Sequence, residues 1–278
     1  MKPVSLGYSP CPNDTFIFYA LVHGRIAGAP PVEEVLEDIA TLNQLALEGR
    51  LDMTKISFHA LAHLRREYCL LHAGGALGRG CGPLVVAQRA FAAAELSGKK
   101  IAIPGRLTTA ALLLRLFAPA VEDLVLMPFD RIMGAVQQGQ VDAGVIIHES
   151  RFTFPDYGLH QIIDLGQWWE ESTGHPIPLG GILARRDLGA ERIALLDRSL
   201  QASVEYAYEH PEQVRGYVRR HAQEMDEQVM QAHIDLYVNE YTLDYGRTGE
   251  AAIEDLVRRA EAAGVVPAAE EGLFIDRV

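Results

Sequence analysis

Short apolar runs alternate with longer amphipathic stretches over the first half of the chain. Val4 to Tyr8 is an apolar run that stops at Ser9-Pro10-Cys11-Pro12, where proline prevents a strand from continuing. Asn13 or Asp14 can then cap a helix through Phe16, Ile17, Ala20 and Leu21. Val32 to Leu36 reads as a second strand, Thr41 as the cap of a helix through Leu42, Leu45 and Ala46, and Met53 to Ser57 as a third strand. A second series begins after Gly98. Lys100 to Ile103 is a strand, Thr108 caps a helix over 109–117, Leu124 to Met127 is a strand, Asp130 caps a helix over 132–137, and Ala143 to His148 is a strand. Strands alternating with helices predict mostly parallel sheets of right-handed βαβ units, an α/β fold.

The two series resemble each other. Residues 45–52 (LALEGRLD) precede the strand ending at Ser57, and residues 135–142 (AVQQGQVD) precede the strand ending at His148. In each, a helix ends at a glycine suited to the left-handed position after the cap, and an aspartate leads into the strand. Two equivalent lobes follow. After about residue 190 the pattern turns helical, over 195–210, 211–221, 227–241 and 250–263. The strand-like segments 83–87 and 180–183 bracket the second series. The expected organisation is a larger, discontinuous lobe of residues 1–87 and 179–278, a smaller lobe of 88–178, and a ligand cleft between them.

Composition narrows the function classes. The 278 residues are 49% hydrophobic and 22% charged, as in an ordinary globular protein. A formal net charge of −12, with no basic stretch to offset it, argues against nucleic-acid or anionic-membrane partners. The N-terminus lacks the apolar core and cleavage site of a secretory signal, and no run is long enough to span a membrane. Cys11, Cys69 and Cys81 are odd in number and widely spaced, so a cytoplasmic protein without a disulfide framework is expected.

Ligands of parallel α/β sheets collect beyond the carboxyl ends of the strands. That rule selects Ser9, Asn13 and Asp14, the segment Lys55–Ser57, the pair Thr108 and Thr109, and His148 with the residues after it. Helix starts at 13–15 and 108–109 suit a carboxylate or phosphate. His148 ends an apolar strand and projects into the cleft, where a neutral imidazole can accept a proton. Glu149, adjacent on the same strand, points to the opposite face. His59 and His63 have helical spacing, but with no third ligand they read as a solvated helix face. The glycine-rich segment 74–82 precedes a strand and not a helix, so it reads as a hinge and not a phosphate loop. Cys11 has no local base to activate it. Arg79, Arg106, Arg131 and Arg151 are candidate carboxylate forks, each a surface arginine by default, and Trp168, Trp169, Tyr237, Tyr241 and Tyr245 are candidates for ring stacking or core packing.

Together, residues 9–16 (SPCPNDTF), 54–57 (TKIS), 104–109 (PGRLTT) and 146–152 (IIHESRF) resemble the 1,4-dihydroxy-6-naphthoate synthase family, across essentially the whole chain. The resemblance implies a two-lobed fold of the type II periplasmic-binding-protein build. It implies a carbon–carbon lyase of the futalosine route to menaquinone. Such an enzyme converts cyclic dehypoxanthine futalosine to 1,4-dihydroxy-6-naphthoate and releases dihydroxyacetone, without metal or organic cofactor. The family's proton acceptor falls on His148, and its substrate contacts fall on Lys55, Ile56, Ser57, Thr108 and Thr109. One family member has histidine where this chain has Leu107. The rival readings are chorismate dehydratase of the same pathway and a non-catalytic binding protein for a small anion. The first shares the fold but lacks the 9–14 pattern; the second has no use for a base in its cleft.

Overall fold

The apolar runs become strands at the expected places. In the computed structural model, which describes residues 2–222 and 226–275, β1 (Val4–Tyr8), α1 (Pro12–Val22), β2 (Val32–Leu36), α2 (Ile39–Leu47) and β3 (Met53–Ser57) form the first unit. Then come α3 (Phe58–Leu64), β4 (Tyr68–Leu70), β5 (Ala76–Gly78) and β6 (Leu84–Ala87). The second unit is β7 (Ile101–Ile103), α4 (Thr109–Phe117), β8 (Leu124–Leu126), α5 (Phe129–Gln137) and β9 (Ala143–Ile146). The short α6 (Ser150–Thr153), β10 (His160–Asp164), α7 (Leu165–Thr173) and β11 (Ile177–Arg185) lead back to the first sheet. Five helices close the chain: α8 (Ala190–Glu209), α9 (Pro211–His221), α10 (Glu227–Tyr237), α11 (Glu240–Leu243) and α12 (Gly246–Ala262).

The first sheet runs β2-β1-β3-β11-β4, with β5 also on β11, and the second runs β10-β6-β9-β7-β8. The two match strand for strand at their centres. β1 lies between β2 and β3, and β7 between β8 and β9, all parallel. Next to β3 comes antiparallel β11, and next to β9 comes antiparallel β6. The sheets are therefore mixed around parallel centres, because the strands that carry the chain between sheets run the other way. Leu84–Ala87, assigned above to the larger lobe, is already a strand of the second sheet, with Leu84 opposite Ile146. Residues 177 and 178, assigned above to the smaller lobe, pair in the first sheet. An apolar run shows that a strand exists but not which sheet it joins.

The internal repeat is a physical device. Gly49 and Gly139 have φ of 65° and 68°, and in both cases the next N–H reaches back to close the helix, Arg50 to Leu45 and Gln140 to Ala135. Asp52 then accepts the N–H of Ser5 at 3.0 Å, and Asp142 that of Lys100 at 2.8 Å, each tying its strand to the start of the neighbouring parallel strand, β1 or β7. Three expected caps differ. α1 starts at Pro12, whose fixed φ suits a first helical position, and neither Asn13 nor Asp14 caps it. Asp38, not Thr41, caps α2, because its carboxylate takes the N–H groups of Ala40 and Thr41 and the Thr41 hydroxyl as well. Asp130 sits in the first turn of α5, behind Pro128 at the cap position.

One apolar cluster runs through both sheets, joining Ile56, Phe58 and Leu61 to Val85, Ile101, Leu112 and Trp169. A second fills the outer face of the first sheet beneath α1, α8 and α9, and a third lies between the second sheet and α5. The three cysteines are buried, and none forms a disulfide among the described residues. Among the described residues no helix is long and apolar enough to cross a membrane.

Candidate active site

The carboxyl ends of β1, β3, β7 and β9 open on a common cavity. Its walls carry Ser9, Asn13, Asp14, Lys55 and Ser57 on the first-sheet side and Thr108, Thr109 and His148 on the other. The structure thus brings together eight of the nine site residues selected from sequence. Ile56 is the exception. On a strand, alternate residues face opposite sides, so Lys55 and Ser57 face the cavity while Ile56, fully buried, belongs to the core that joins the sheets.

On the first-sheet wall, Lys55 Nζ meets Asp14 Oδ1 at 2.6 Å, with both side chains almost fully buried. Asp14 also accepts Ser9 Oγ at 2.7 Å and Asn13 Nδ2 at 2.8 Å. A buried carboxylate with this many donors is held in one orientation. The ammonium, with three N–H bonds, has two more to offer a ligand. Ser57 is gripped by Asn43, whose amide oxygen takes its backbone N–H at 3.0 Å and whose nitrogen donates to its hydroxyl at 3.1 Å.

The facing wall is built from a helix start and a strained turn. Thr108 caps α4, as expected, by accepting the N–H of Ala111 at 3.2 Å. Its hydroxyl also donates to Gly105 O. The Thr109 hydroxyl accepts the N–H of Phe58 at 3.0 Å and donates to Leu179 O at 2.5 Å, so it clasps α4 to the first sheet and is not free for a ligand. What α4 offers the cavity is the pair of first-turn N–H groups at Thr109 and Ala110, which have no acceptor within the helix.

His148 lies two residues beyond the end of β9, not on the strand, and has φ of 56°. Among non-glycine residues histidine is one of the few enriched in this left-handed region. The turn sends its ring into the cavity, edge-on to Phe129 (5.1 Å between centroids) and nearly parallel to His233 (6.2 Å). Burial holds its pKa below 6.5, with Glu149 and Asp14 partly offsetting the shift, so the ring is neutral near pH 7. The turn also removes the strand alternation that would send Glu149 away from the site. Glu149 Oε2 lies 3.9 Å from His233 Nδ1.

His233, Cys81 and Gly180 are cavity residues that the sequence reading does not select, and Tyr237, a candidate for stacking or packing, lines the cavity as well. His233 had a signal. Met230, His233 and Tyr237 share the buried stripe of α10, and a histidine on such a stripe needs a polar partner. Other candidates fall away. His59 is buried, not solvated; its Nδ1 lies 3.3 Å from Thr108 O, and burial lowers its pKa to about 4. Cys11 is enclosed at the start of α1, where burial raises its pKa far above the usual thiol range. Arg151 pairs with Asp164 at 2.7 Å and Arg79 with Glu170 at 3.5 Å, both outside the cavity wall. Trp169 is buried, with its N–H on Pro176 O.

A family model described as menaquinone biosynthesis matches residues 4–262. A Thermus thermophilus protein named 1,4-dihydroxy-6-naphtoate synthase is 54% identical over 99% of this chain and 100% of its own length. A Streptomyces coelicolor protein of the same name is 50% identical over 95% of each chain. The chain belongs to the 1,4-dihydroxy-6-naphthoate synthase family. The crystal structure of protein AF1704 from Archaeoglobus fulgidus is similar to it, with 41% identity, a TM-score of 0.88, and coverage of 95% of this chain and 98% of that one. The periplasmic aliphatic sulphonate-binding protein SsuA of Escherichia coli covers all of this chain and is itself covered at 95%, with a TM-score of 0.64 at 12% identity. That likeness concerns the fold alone, and it agrees with the periplasmic-binding-protein build expected from the sequence. In this member of the synthase family, the cleft of a binding-protein fold carries a histidine on a left-handed turn.

Proposed function

We propose that the chain converts cyclic dehypoxanthine futalosine to 1,4-dihydroxy-6-naphthoate with release of dihydroxyacetone, as a cofactor-independent carbon–carbon lyase whose general base is His148. The observation that carries this reading is the neutral imidazole held on a left-handed turn at the cavity wall, facing a set of buried polar side chains. Aromatising a ring while a carbon–carbon bond breaks requires a positioned base, and an enclosed cleft keeps the intermediate from water. The substrate carboxylate is taken by the free N–H groups at the start of α4, with Lys55 contributing its remaining N–H bonds. Ser9, Asn13 and Asp14 hold Lys55 and the cleft wall in place, and Ser57 lines the same wall. Three cysteines without a disulfide among the described residues suit a cytoplasmic enzyme.

The test is incubation of the purified protein with cyclic dehypoxanthine futalosine, with chorismate as the control substrate and a chelator-dialysed sample in parallel. Formation of 1,4-dihydroxy-6-naphthoate and dihydroxyacetone in equal amounts, unchanged by the chelator, is expected. Turnover of chorismate alone would move the chain to the dehydratase reaction, and dependence on added metal would remove the cofactor-independent mechanism.

A further inference from the structure

The polar network of the first-sheet wall determines the tautomer of a histidine beside it. Asp14 Oδ1 faces Asn13 Nδ2 at 2.8 Å. A carboxylate bonded to Lys55 only accepts, so Asn13 turns its nitrogen to Asp14 and its oxygen to His233. Asn13 Oδ1 lies 2.9 Å from His233 Nε2, and therefore Nε2 carries the hydrogen. Burial, reinforced by His148 and Lys55, holds the His233 pKa well below 6.5, so the ring has only that one hydrogen and Nδ1 is a bare lone pair.

Nδ1 looks across 3.9 Å at Glu149 Oε2. Both atoms are buried and neither has a hydrogen-bond partner. A lone pair and a carboxylate oxygen are both acceptors; each lacks a donor, and their separation exceeds a hydrogen bond. His233 stands on α10, packed on α1 and β5 of the first sheet, and Glu149 on the turn after β9 of the second. The unfilled pair thus joins the two sheets beside His148, with His233 on the cavity wall and Glu149 behind it. One hydroxyl supplies one hydrogen, so satisfying both atoms with an organic ligand takes two hydroxyls.

We propose that Glu149 Oε2 and His233 Nδ1 form a polyol subsite, which receives the hydroxylated three-carbon end of the substrate. This rests on the proposed reaction for the identity of that end. It also orients the molecule: carboxylate toward the start of α4, hydroxyls toward α10, and His148 reaching the ring between them.

Dihydroxyacetone and 2-naphthoate, the second an aromatic carboxylate without hydroxyls, are titrated separately into the full-length protein and followed by NMR. Glu149→Gln and His233→Gln are the principal variants, and melting temperatures check their folding. Glutamine reproduces the Nε2 donor to Asn13 and deletes the Nδ1 acceptor, whereas His233→Asn keeps an acceptor near Nδ1 and loses the bond to Asn13. Each principal variant is expected to weaken dihydroxyacetone roughly tenfold or more, as for loss of a hydrogen bond to a charged or buried group, with 2-naphthoate unchanged. His233→Asn is expected to retain more dihydroxyacetone affinity than His233→Gln. A purely structural histidine gives the reverse order, with His233→Gln silent. Equal losses for both ligands, no dihydroxyacetone binding by the wild type, or affinities unmoved by either principal variant (a gap that holds water only) would each overturn the subsite. Wild-type protein that binds dihydroxyacetone yet leaves cyclic dehypoxanthine futalosine intact retains the subsite and loses the proposed reaction.

Discussion

The two walls of the cleft are built from equivalent strand–helix units and finished in opposite ways. On the first-sheet wall Asp14 is satisfied by Ser9, Asn13 and Lys55, so the charge there is balanced before any ligand arrives. On the second-sheet side the polar groups are left open: the first N–H groups of α4, the strained His148 and, behind the wall, an orphaned Glu149 oxygen. A satisfied network is rigid, and its partners are costly to disturb. Open groups gain partners only when substrate or transition state supplies them, and differential gain of that kind is what accelerates a reaction. The same supersecondary unit therefore yields a scaffold in one copy and a reactive surface in the other.

The strongest challenge to this division is His148→Asn, since asparagine also tolerates the left-handed turn. Turnover is expected to fall about 10²–10⁴-fold, the usual range for a positioned acid–base group, with substrate affinity by calorimetry and melting temperature nearly unchanged. Near-normal turnover would move the chemistry elsewhere. Lys55→Met probes the scaffold wall. Stripping Asp14 of its buried partner is expected to destabilise the fold by about 3–5 kcal/mol in denaturant titrations, and adding Asp14→Asn should recover part of that. Full stability in the single variant would show that the pair does not organise the wall.

Thr109→Val tests the clasp between walls. It strands the Phe58 N–H and the Leu179 carbonyl, at about 1–3 kcal/mol for each buried group left unpaired, whereas Thr109→Ser should restore the wild-type unfolding midpoint. A valine variant as stable as wild type would place the clasp in solvent. The smallest effect concerns pH. His148 titrates below 6.5, and the proposed base acts in its neutral form, so turnover should fall as pH drops through that lowered pKa. Glu149 favours the charged ring, so Glu149→Gln should move the acid limb of the kcat profile to still lower pH. A shift upward would contradict the arrangement of the two groups.

What could be read from sequence follows from how local each interaction is. β1, β2 and β3 begin and end at the expected residues, and Thr108 caps α4, because apolar runs and a hydroxyl before a helix act within a few residues. β5 was read as part of a hinge. Ala76–Gly78 has no strand pattern of its own and is held by pairing with β11, some hundred residues away. β10 and α7 were likewise not anticipated, since the half-exposed run 160–164 has weak alternation and depends on β6 for its pairing. The cleft was legible because strand ends are, and His148 was found for that reason. Its left-handed turn was not, and the expectation that Glu149 points away failed with it. His233 enters the site only through the packing of α10 on α1, a contact between segments more than 200 residues apart.

The left-handed turn at His148 also bears on how such a protein can change over generations. Any substitution there must tolerate φ of 56°, which strains β-branched and bulky side chains and favours glycine, asparagine and aspartate. The codons for histidine and asparagine differ by one base. If His148 is the base proposed above, a single transversion silences the chemistry while sparing the backbone and the cleft, leaving a protein that captures its ligand and returns it unaltered. On that mechanism the mutational distance from catalyst to receptor is one nucleotide, and a gene copy freed from selection for turnover has that step immediately within reach.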